Sequence, residues 1–400
     1  MSLKKKEIGD RSGGLWGGAL LIAGTSIGAG MLALPVVTGP GGFYPAIVIN
    51  FFCWAIMAAT GLLFMEATLL LPDGANVLSI TKKFLGKTGE WIGGSTFVFL
   101  YYCLMVAYLS GGAPLLNHFF DIKASLWVFG LFFALIVWEG SRFIDRTNWL
   151  LMSGLIISYF LMMSGAGNVV DSVRFDRVNW GLSLLAAPTL FSAFGYHNII
   201  PSLATYLHRD RSLLRWAILI GSAIPLVVYT LWQWLIIGAI PEGMLEVIGF
   251  EGIPVGLMLE RVTGNPWVSA TATYFSFFAI VTSLLGVSLS MVDFLGDGLK
   301  VKRTGWSRLG LVALVFIPPM IVSSLYPTLF ISALGIAGGI GEAIINCLIP
   351  IALVWVARYQ HKSSNQHELP GGRLTLSVLA AGTVAIMLLE MYVLAYGSSK

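Results

Sequence analysis

Charge is scarce in this chain. Of 400 residues, 24 are Lys or Arg and 20 are Asp or Glu, together 11%, where soluble domains carry roughly 25%. Cysteine is scarce too: Cys53, Cys103 and Cys347 sit singly inside apolar runs, which speaks against a disulfide framework and a metal cluster. Long polar stretches are also missing. The widest interval between apolar runs, 241 to 266, is too short for a soluble domain, so an enzyme of the globular kind, with nucleophile, base and orienter, has nowhere to sit. The first residues, MSLKKKEIGDRSGG, run into a full-length apolar stretch without a small-residue cleavage pattern, and a removable signal peptide is not expected. The net charge of +4 comes from short basic groups between apolar runs. No continuous basic stripe offers itself to a nucleic acid.

What the chain has is hydrophobicity: 56% of residues and a mean hydropathy of +0.82. These values predict an all-α polytopic protein whose partner is the lipid bilayer. Apolar runs of spanning length fall at 15 to 36, 43 to 70, 92 to 116, 125 to 140, 149 to 166, 183 to 207, 214 to 240, 267 to 295, 308 to 324, 333 to 357 and 374 to 397, eleven in all. With residues 1–14 placed in the cytoplasm, 19 of the 24 basic residues fall on cytoplasmic segments and the C-terminus lies outside; a miscount by one span would scramble that bias. Tryptophans such as Trp16, Trp91, Trp149 and Trp306 mark span ends, as rings at a headgroup belt do. Within the outer loop, EGIPVGLMLERV reads as a short amphipathic helix at the surface.

The first span contains GTSIGAGMLALP, Gly24 to Pro35. Three readings compete. Gly28, Gly30 and Ala33 imitate a dinucleotide fingerprint, but no strand precedes them. Gly24 and Gly28 form GxxxG, a helix-packing device. Alternatively the helix is discontinuous, and its unwound middle offers backbone groups to a ligand at the midplane. A second interrupted span favours the third reading: in APTLFSAFGYHNIIPSLATYLH, Pro188 and Pro201 bracket Ser192 to His197. If 15–166 and 183–357 are inverted repeats, both breaks open a repeat, as in secondary transporters. Amides around Ile27 to Gly30, at the start of the outer half-helix, then suit a carboxylate. Carbonyls around Ser192 to Phe194 suit an ammonium, and a zwitterionic amino acid meets both poles.

AGTSIGAGMLALP, FSAFGYHNIIPSL, FLYYCLMVAYLSG and GSAIPLVVYTLWQ together resemble the hydroxy and aromatic amino acid permease family, most closely its tyrosine permease branch. The resemblance extends over nearly the whole chain. It implies a five-plus-five inverted repeat with discontinuous helices 1 and 6 and an added span at 374–397. It also implies uptake of an aromatic amino acid, driven by protons, across a bacterial inner membrane. No cofactor and no obligate protein partner is implied. Carried over by motif, Thr25, Ser26, Ile27, Gly28, Ala29 and Gly30 would hold the substrate carboxylate; Ser192, Ala193, Phe194 and His197 would face its amine and side chain. Asn198 and Ile199 are larger than the family pattern at those positions and leave tyrosine and tryptophan both open.

Ionisable groups inside spans need a reason, because a charge at the bilayer centre costs about 2.5–3.5 kcal/mol on insertion scales. His197 is either a proton carrier or a neutral ring satisfied by a carbonyl that Pro201 frees. Glu342, on a glycine-rich face, is a second proton site or a paired structural group. Glu390 reads as structural, and Glu66 and Asp293, near cytoplasmic ends, as partners of Lys or Arg. Tyr101, Tyr102, Tyr108 and Phe99 on the third span either pack or, through Tyr102 or Tyr108 with Phe194, stack on a substrate ring. Thr282 and Ser283 either bond to local carbonyls or complete a sodium site, so the coupled ion stays open between proton and sodium.

Overall fold

The computed structural model describes residues 14–165, 168–251, 255–362 and 367–396. The basic N-terminal residues Lys4, Lys5, Lys6 and Arg11 and the terminal Lys400 lie outside them, as do the side chains of Arg142, Arg146, Glu246, Glu251, Glu260 and Arg261. Among the described residues the regular structure is helical throughout, as the scarcity of charge and the length of the apolar runs require.

The first apolar run divides into α1 (Leu15–Ser26) and α2 (Gly30–Thr38), set at 61° to each other. α3 (Phe43–Leu69) follows. α4 (Val77–Phe120) begins 15 residues before the expected third span: an Asn76/Ser79 capping box starts it, and Gly86, at φ 69°, bends it where the apolar part takes over. α5 (Ser125–Glu139) and α6 (Ser141–Gly165) are joined at a glycine with φ 119°. The sixth run divides into α7 (Trp180–Leu184), α8 (Ala187–Ala193) and α9 (Ile200–Tyr206). Pro188 and Pro201 stand in the first turns of α8 and α9, where a missing N–H does no harm. α10 (Arg211–Ala239) leads to the outer helices α11 (Glu242–Glu251) and α12 (Val255–Thr263). α12 buries Val255, Met258 and Leu259 against α13 (Pro266–Leu299), so the amphipathic segment lies on the bundle. α14 (Gly305–Leu325), α15 (Phe330–Ile336), α16 (Ile349–Trp355) and α17 (Gly372–Tyr396) complete the chain. Between α15 and α16, Ala337–Leu348 widens into π-helix.

Seven of these helices are long and apolar enough to cross a membrane, counting 330–360 as one, and the bent α1–α2 pair makes eight. α5 and Trp149–Gly165 are shorter apolar helices, and the sixth run is too divided to pass by length. Eleven crossings are thus not reached on helix length alone. Trp16, Trp91, Trp149 and Trp306 are exposed on the outer surface, as belt residues should be.

The packing runs in pairs. α1 lies along α10, and α8 with α9 against α3; α6 lies along α13, and α15 with the π segment along α4. At the end where α2 finishes, the 168–184 segment seals the bundle: the Arg177 guanidinium donates to Gly39 O and pairs with Glu242, and Arg174 donates to Gly238 O at 3.0 Å. At the opposite end the charges form a network with a buried centre. Arg358 clasps Glu66 through Nε–Oε1 at 2.7 Å and Nη2–Oε2 at 2.5 Å, and the Glu368 amide donates to the same Glu66 carboxylate at 2.9 Å. Glu368 in turn meets Arg211 and Arg215. Asp293 pairs with Arg303 at 3.3 Å, so both carboxylates expected to find cations do so. In the loop after α3, the Thr205 hydroxyl donates to Asp73 at 2.5 Å and holds that carboxyl below its usual range.

Candidate functional site

The breaks fall close to the predicted places. Helix persists through Thr25 and Ser26, and the unwound stretch is Ile27 to Ala29; the second break is Phe194 to Tyr196, followed by a 3-10 turn at His197–Ile199. They face each other across a cavity of about 100 Å³, walled also by α4, α13 and the π segment. Of the sequence-predicted residues it collects Thr25, Ser26, Gly28, Ala29, Gly30, Tyr108, Ser192, His197, Ser283 and Glu342. A vestibule of about 470 Å³ shares Thr25, Tyr108 and Ser283 with it and runs past Leu20, Met152 and Leu289, toward the end where α1 begins. Ile27 and Thr282 line the vestibule. Ala193 and Phe194 are buried outside the cavity wall, with the Phe194 ring 5.1 Å from that of Tyr229.

Hydrogen bonding divides the first break. The Ala29 amide donates to Ser283 Oγ at 2.9 Å, so this member of the proposed carboxylate nest is already engaged. The Gly28 and Gly30 amides meet no acceptor among the described residues, and those two N–H groups remain for an anion. Gly28 leaves the Ser283 hydroxyl its place: a Cβ there would lie 2.2 Å from Ser283 Oγ. Thr282 donates to Phe278 O at 2.8 Å and lies 3.1 Å from Ala279 O, which is local carbonyl bonding.

At the second break, His197 is 2% exposed and its Nε2 lies 3.1 Å from Thr60 Oγ1. The partner is a hydroxyl rather than the carbonyl freed by Pro201. Thr60 has one proton, and Ile56 O at 3.0 Å and Met57 O at 3.2 Å stand ready to take it. Nε2 is then the donor to Thr60, and Nδ1 carries a lone pair. Among the described residues that Nδ1 has no partner. Ser26 Oγ and Ser192 Oγ are likewise buried and unpartnered, and all three residues line the same cavity.

Glu342 stands on the π segment, a geometry frequent at functional sites, with Asn346 donating to its carboxylate. Its Oε1 is so close to Gly195 that a Cβ there would lie 2.6 Å away. Among the described residues no Lys or Arg reaches it. Glu390 is buried on α17 against Gly335 and Gly339 and lines neither the cavity nor the vestibule.

The tyrosine stripe is corrected by one residue. Tyr102 donates to Leu314 O at 2.9 Å and turns toward α14, and Phe99 is exposed. The cavity face is Phe97, Tyr101, Leu104 and Tyr108, spaced i, i+4, i+7 and i+11, a single helical face that periodicity identifies. Sequence reasoning also passed over Phe64 and Asn346 in the wall, where Gly195 and Asn198 of the second break stand as well. Asn198 donates to Tyr101 Oη at 3.3 Å.

The chain matches the model of the tryptophan/tyrosine permease family over residues 11–390. Among curated proteins, tyrosine-specific transport system 1 of Haemophilus influenzae is 33% identical over 376 residues, 91% of this chain and 93% of that protein. A tryptophan-specific transport protein of Pseudomonas aeruginosa is 32% identical over 375 residues, 90% of each chain. Among solved structures, a manganese transporter of Eremococcus coleocola superposes with a TM-score of 0.65 at 15% identity, covering 94% of this chain and 85% of that one. At that identity the likeness is one of fold.

Proposed function

The chain belongs to the tryptophan/tyrosine permease family, and from that premise we propose that it carries tyrosine into a bacterial cell across the inner membrane, together with a proton, by alternating access to the cavity between its two breaks. It is a multi-pass membrane transporter and not an enzyme. The observation that carries the reading is the set of three buried, unpartnered polar atoms, Ser26 Oγ, Ser192 Oγ and His197 Nδ1, on residues lining one cavity. Buried polar groups are as a rule paired; Asn50 Oδ1, Ser110 Oγ, Arg177 Nε and Ser183 Oγ are also left open elsewhere, but only at this cavity do three open atoms gather among the described residues, and that gathering points to a polar ligand.

In this reading the substrate carboxylate takes the Gly28 and Gly30 amides at the N-terminus of α2. Its ammonium meets Ser192 and the open Nδ1 of His197, and its ring lies among Phe64, Phe97, Tyr101 and Tyr108. A phenol both donates and accepts; the Asn198 and Asn346 amides and Glu342 offer partners for both roles. His197 and Glu342 are the proton carriers, since both reach the cavity and no Lys or Arg among the described residues neutralises Glu342. The bonds already made by Thr282 and Ser283 weigh against a sodium site there. Residues 15–166 and 183–357 act as inverted repeats: exchanging the halves turns the α1–α10 contact into that of α8 and α9 with α3, and the α6–α13 contact into that of the 330–360 helix with α4. With the basic end cytoplasmic, the vestibule opens inward.

The test is competition uptake in proteoliposomes with labelled tyrosine against tryptophan, phenylalanine and leucine, at two pH values, with and without sodium. Competition by tyrosine above the others, rising with an inward proton gradient and indifferent to sodium, supports the reading. Stronger competition by tryptophan replaces the substrate, and strict sodium dependence overturns the proton.

A further inference from the structure

Tyr229, on α10, is fully buried, and its hydroxyl oxygen lies 2.6 Å from Ser26 O and 2.7 Å from Ala193 O. Those carbonyls are the last of α1 and the last of α8. Four residues on from each, where a continuous helix would supply an N–H, stand Gly30 and His197, on the far side of a break. Two helix C-termini, each carrying about half a negative charge, are thus aimed at one phenol.

A phenol has one proton. It satisfies one carbonyl at a time, and the other meets an oxygen lone pair at hydrogen-bond distance. The contact is one proton short. We propose that Tyr229 is a positioning residue that ties the two breaks to each other through this shared proton, so that the walls of the cavity built by α1–α2 and α8–α9 move together, and that the missing second proton keeps the tie switchable. Packing fixes the ring against Phe194, and three residues along α10 the indole of Trp232 donates to Met31 O of α2 at 2.9 Å. α10 therefore grips the first broken span on both sides of its break. The inference rests on the breaks being the two walls of a substrate site, but its first readout does not depend on transport.

The experiment varies the proton count at one position in the full-length protein: none in Tyr229→Phe, one in the wild type, two in Tyr229→p-aminophenylalanine. Melting temperature in detergent, without substrate, is expected to rise in that order, with the Phe variant lower than wild type by at least about 2 °C. In proteoliposomes both variants are expected to lose roughly tenfold in maximal rate, the factor that one buried hydrogen bond gained or lost carries, with KM within about twofold. A Phe variant that melts with the wild type reduces Tyr229 to packing and overturns the proposal. If the Phe variant does not fold, the aminophenyl variant decides alone: melting above wild type supports the shared proton, and melting at or below it refutes it. Should the wild type transport no amino acid, the transport reading fails while the melting order still judges the tie.

Discussion

Gly28→Ala is the substitution whose consequence can be worked most fully from the geometry. The new Cβ would stand 2.2 Å from Ser283 Oγ but 3.6 Å from Ser283 Cβ and 3.9 Å from Ala279 O. Only the hydroxyl is in the way, and that hydroxyl accepts the Ala29 amide. To make room Ser283 must rotate and release it, which leaves an N–H without its partner at a cost of about 1–3 kcal/mol. Ser283→Ala removes the same acceptor and costs about the same. The double variant loses the bond once and has space for the methyl, so it is expected to be no worse than Ser283→Ala alone. The double-mutant cycle then gives a coupling of about 1–3 kcal/mol, or roughly 5- to 150-fold in tyrosine dissociation constant if the loss falls on the ligand-bound state. Thermal unfolding and equilibrium binding of labelled tyrosine on the purified variants measure it. Additive effects would refute the placement of Ser283 across the first break.

Three further outcomes follow from the same contacts. Arg358 and Glu66 are 1% and 2% exposed; Arg358→Met takes the cation from a buried carboxylate that keeps the Glu368 amide and is expected to cost about 3 kcal/mol, while adding Glu66→Leu recovers part of the melting temperature, and an equal loss in both contradicts the pairing. His197→Ala is expected to abolish uphill accumulation while sparing counterflow exchange; Thr60→Val, which removes the partner of Nε2, should lower uptake about tenfold and alter its pH profile, with Thr60→Ser restoring both. Asp73 is held below its usual range chiefly by Thr205, so its contribution is present above about pH 3.9 and is lost as pH falls through the lower folded value; the melting deficit of Thr205→Val should therefore shrink between about pH 7 and pH 3.

The breaks were legible because glycine and proline interrupt runs that are otherwise apolar, and they stand within two residues of the places that GTSIGAGMLALP and FSAFGYHNIIP indicated. Tyr102 was misplaced for want of a phase: its neighbour Tyr101 shares a helical face with Phe97 and Tyr108, and one residue is a turn of about 100°. The helix at 77–85 escaped because Lys82 and Lys83 give it the polarity of a loop, although Asn76 and Ser79 spell a capping box. Tyr229 could not have been found by spacing, and Ser283, singled out for an ion site, could not have been placed against an amide of the first break. Their partners are backbone groups exposed by breaks 203 and 254 residues away, and no local pattern records such a meeting. The π turns around Glu342 carry no sequence signal beyond the glycines that let α8 approach, where a Cβ on Gly338 would lie 1.9 Å from Pro188 O.

The central claim is that the cavity between the breaks moves an aromatic amino acid against its gradient at the expense of a proton gradient. Proteoliposomes with an imposed inward gradient of about one pH unit test it directly. That gradient is worth about 1.4 kcal/mol per proton, so with one proton per substrate labelled tyrosine should accumulate about tenfold above the outside concentration, and Glu342→Gln should bring it only to equality. Internal tyrosine that never exceeds the external concentration in the wild type would contradict the account.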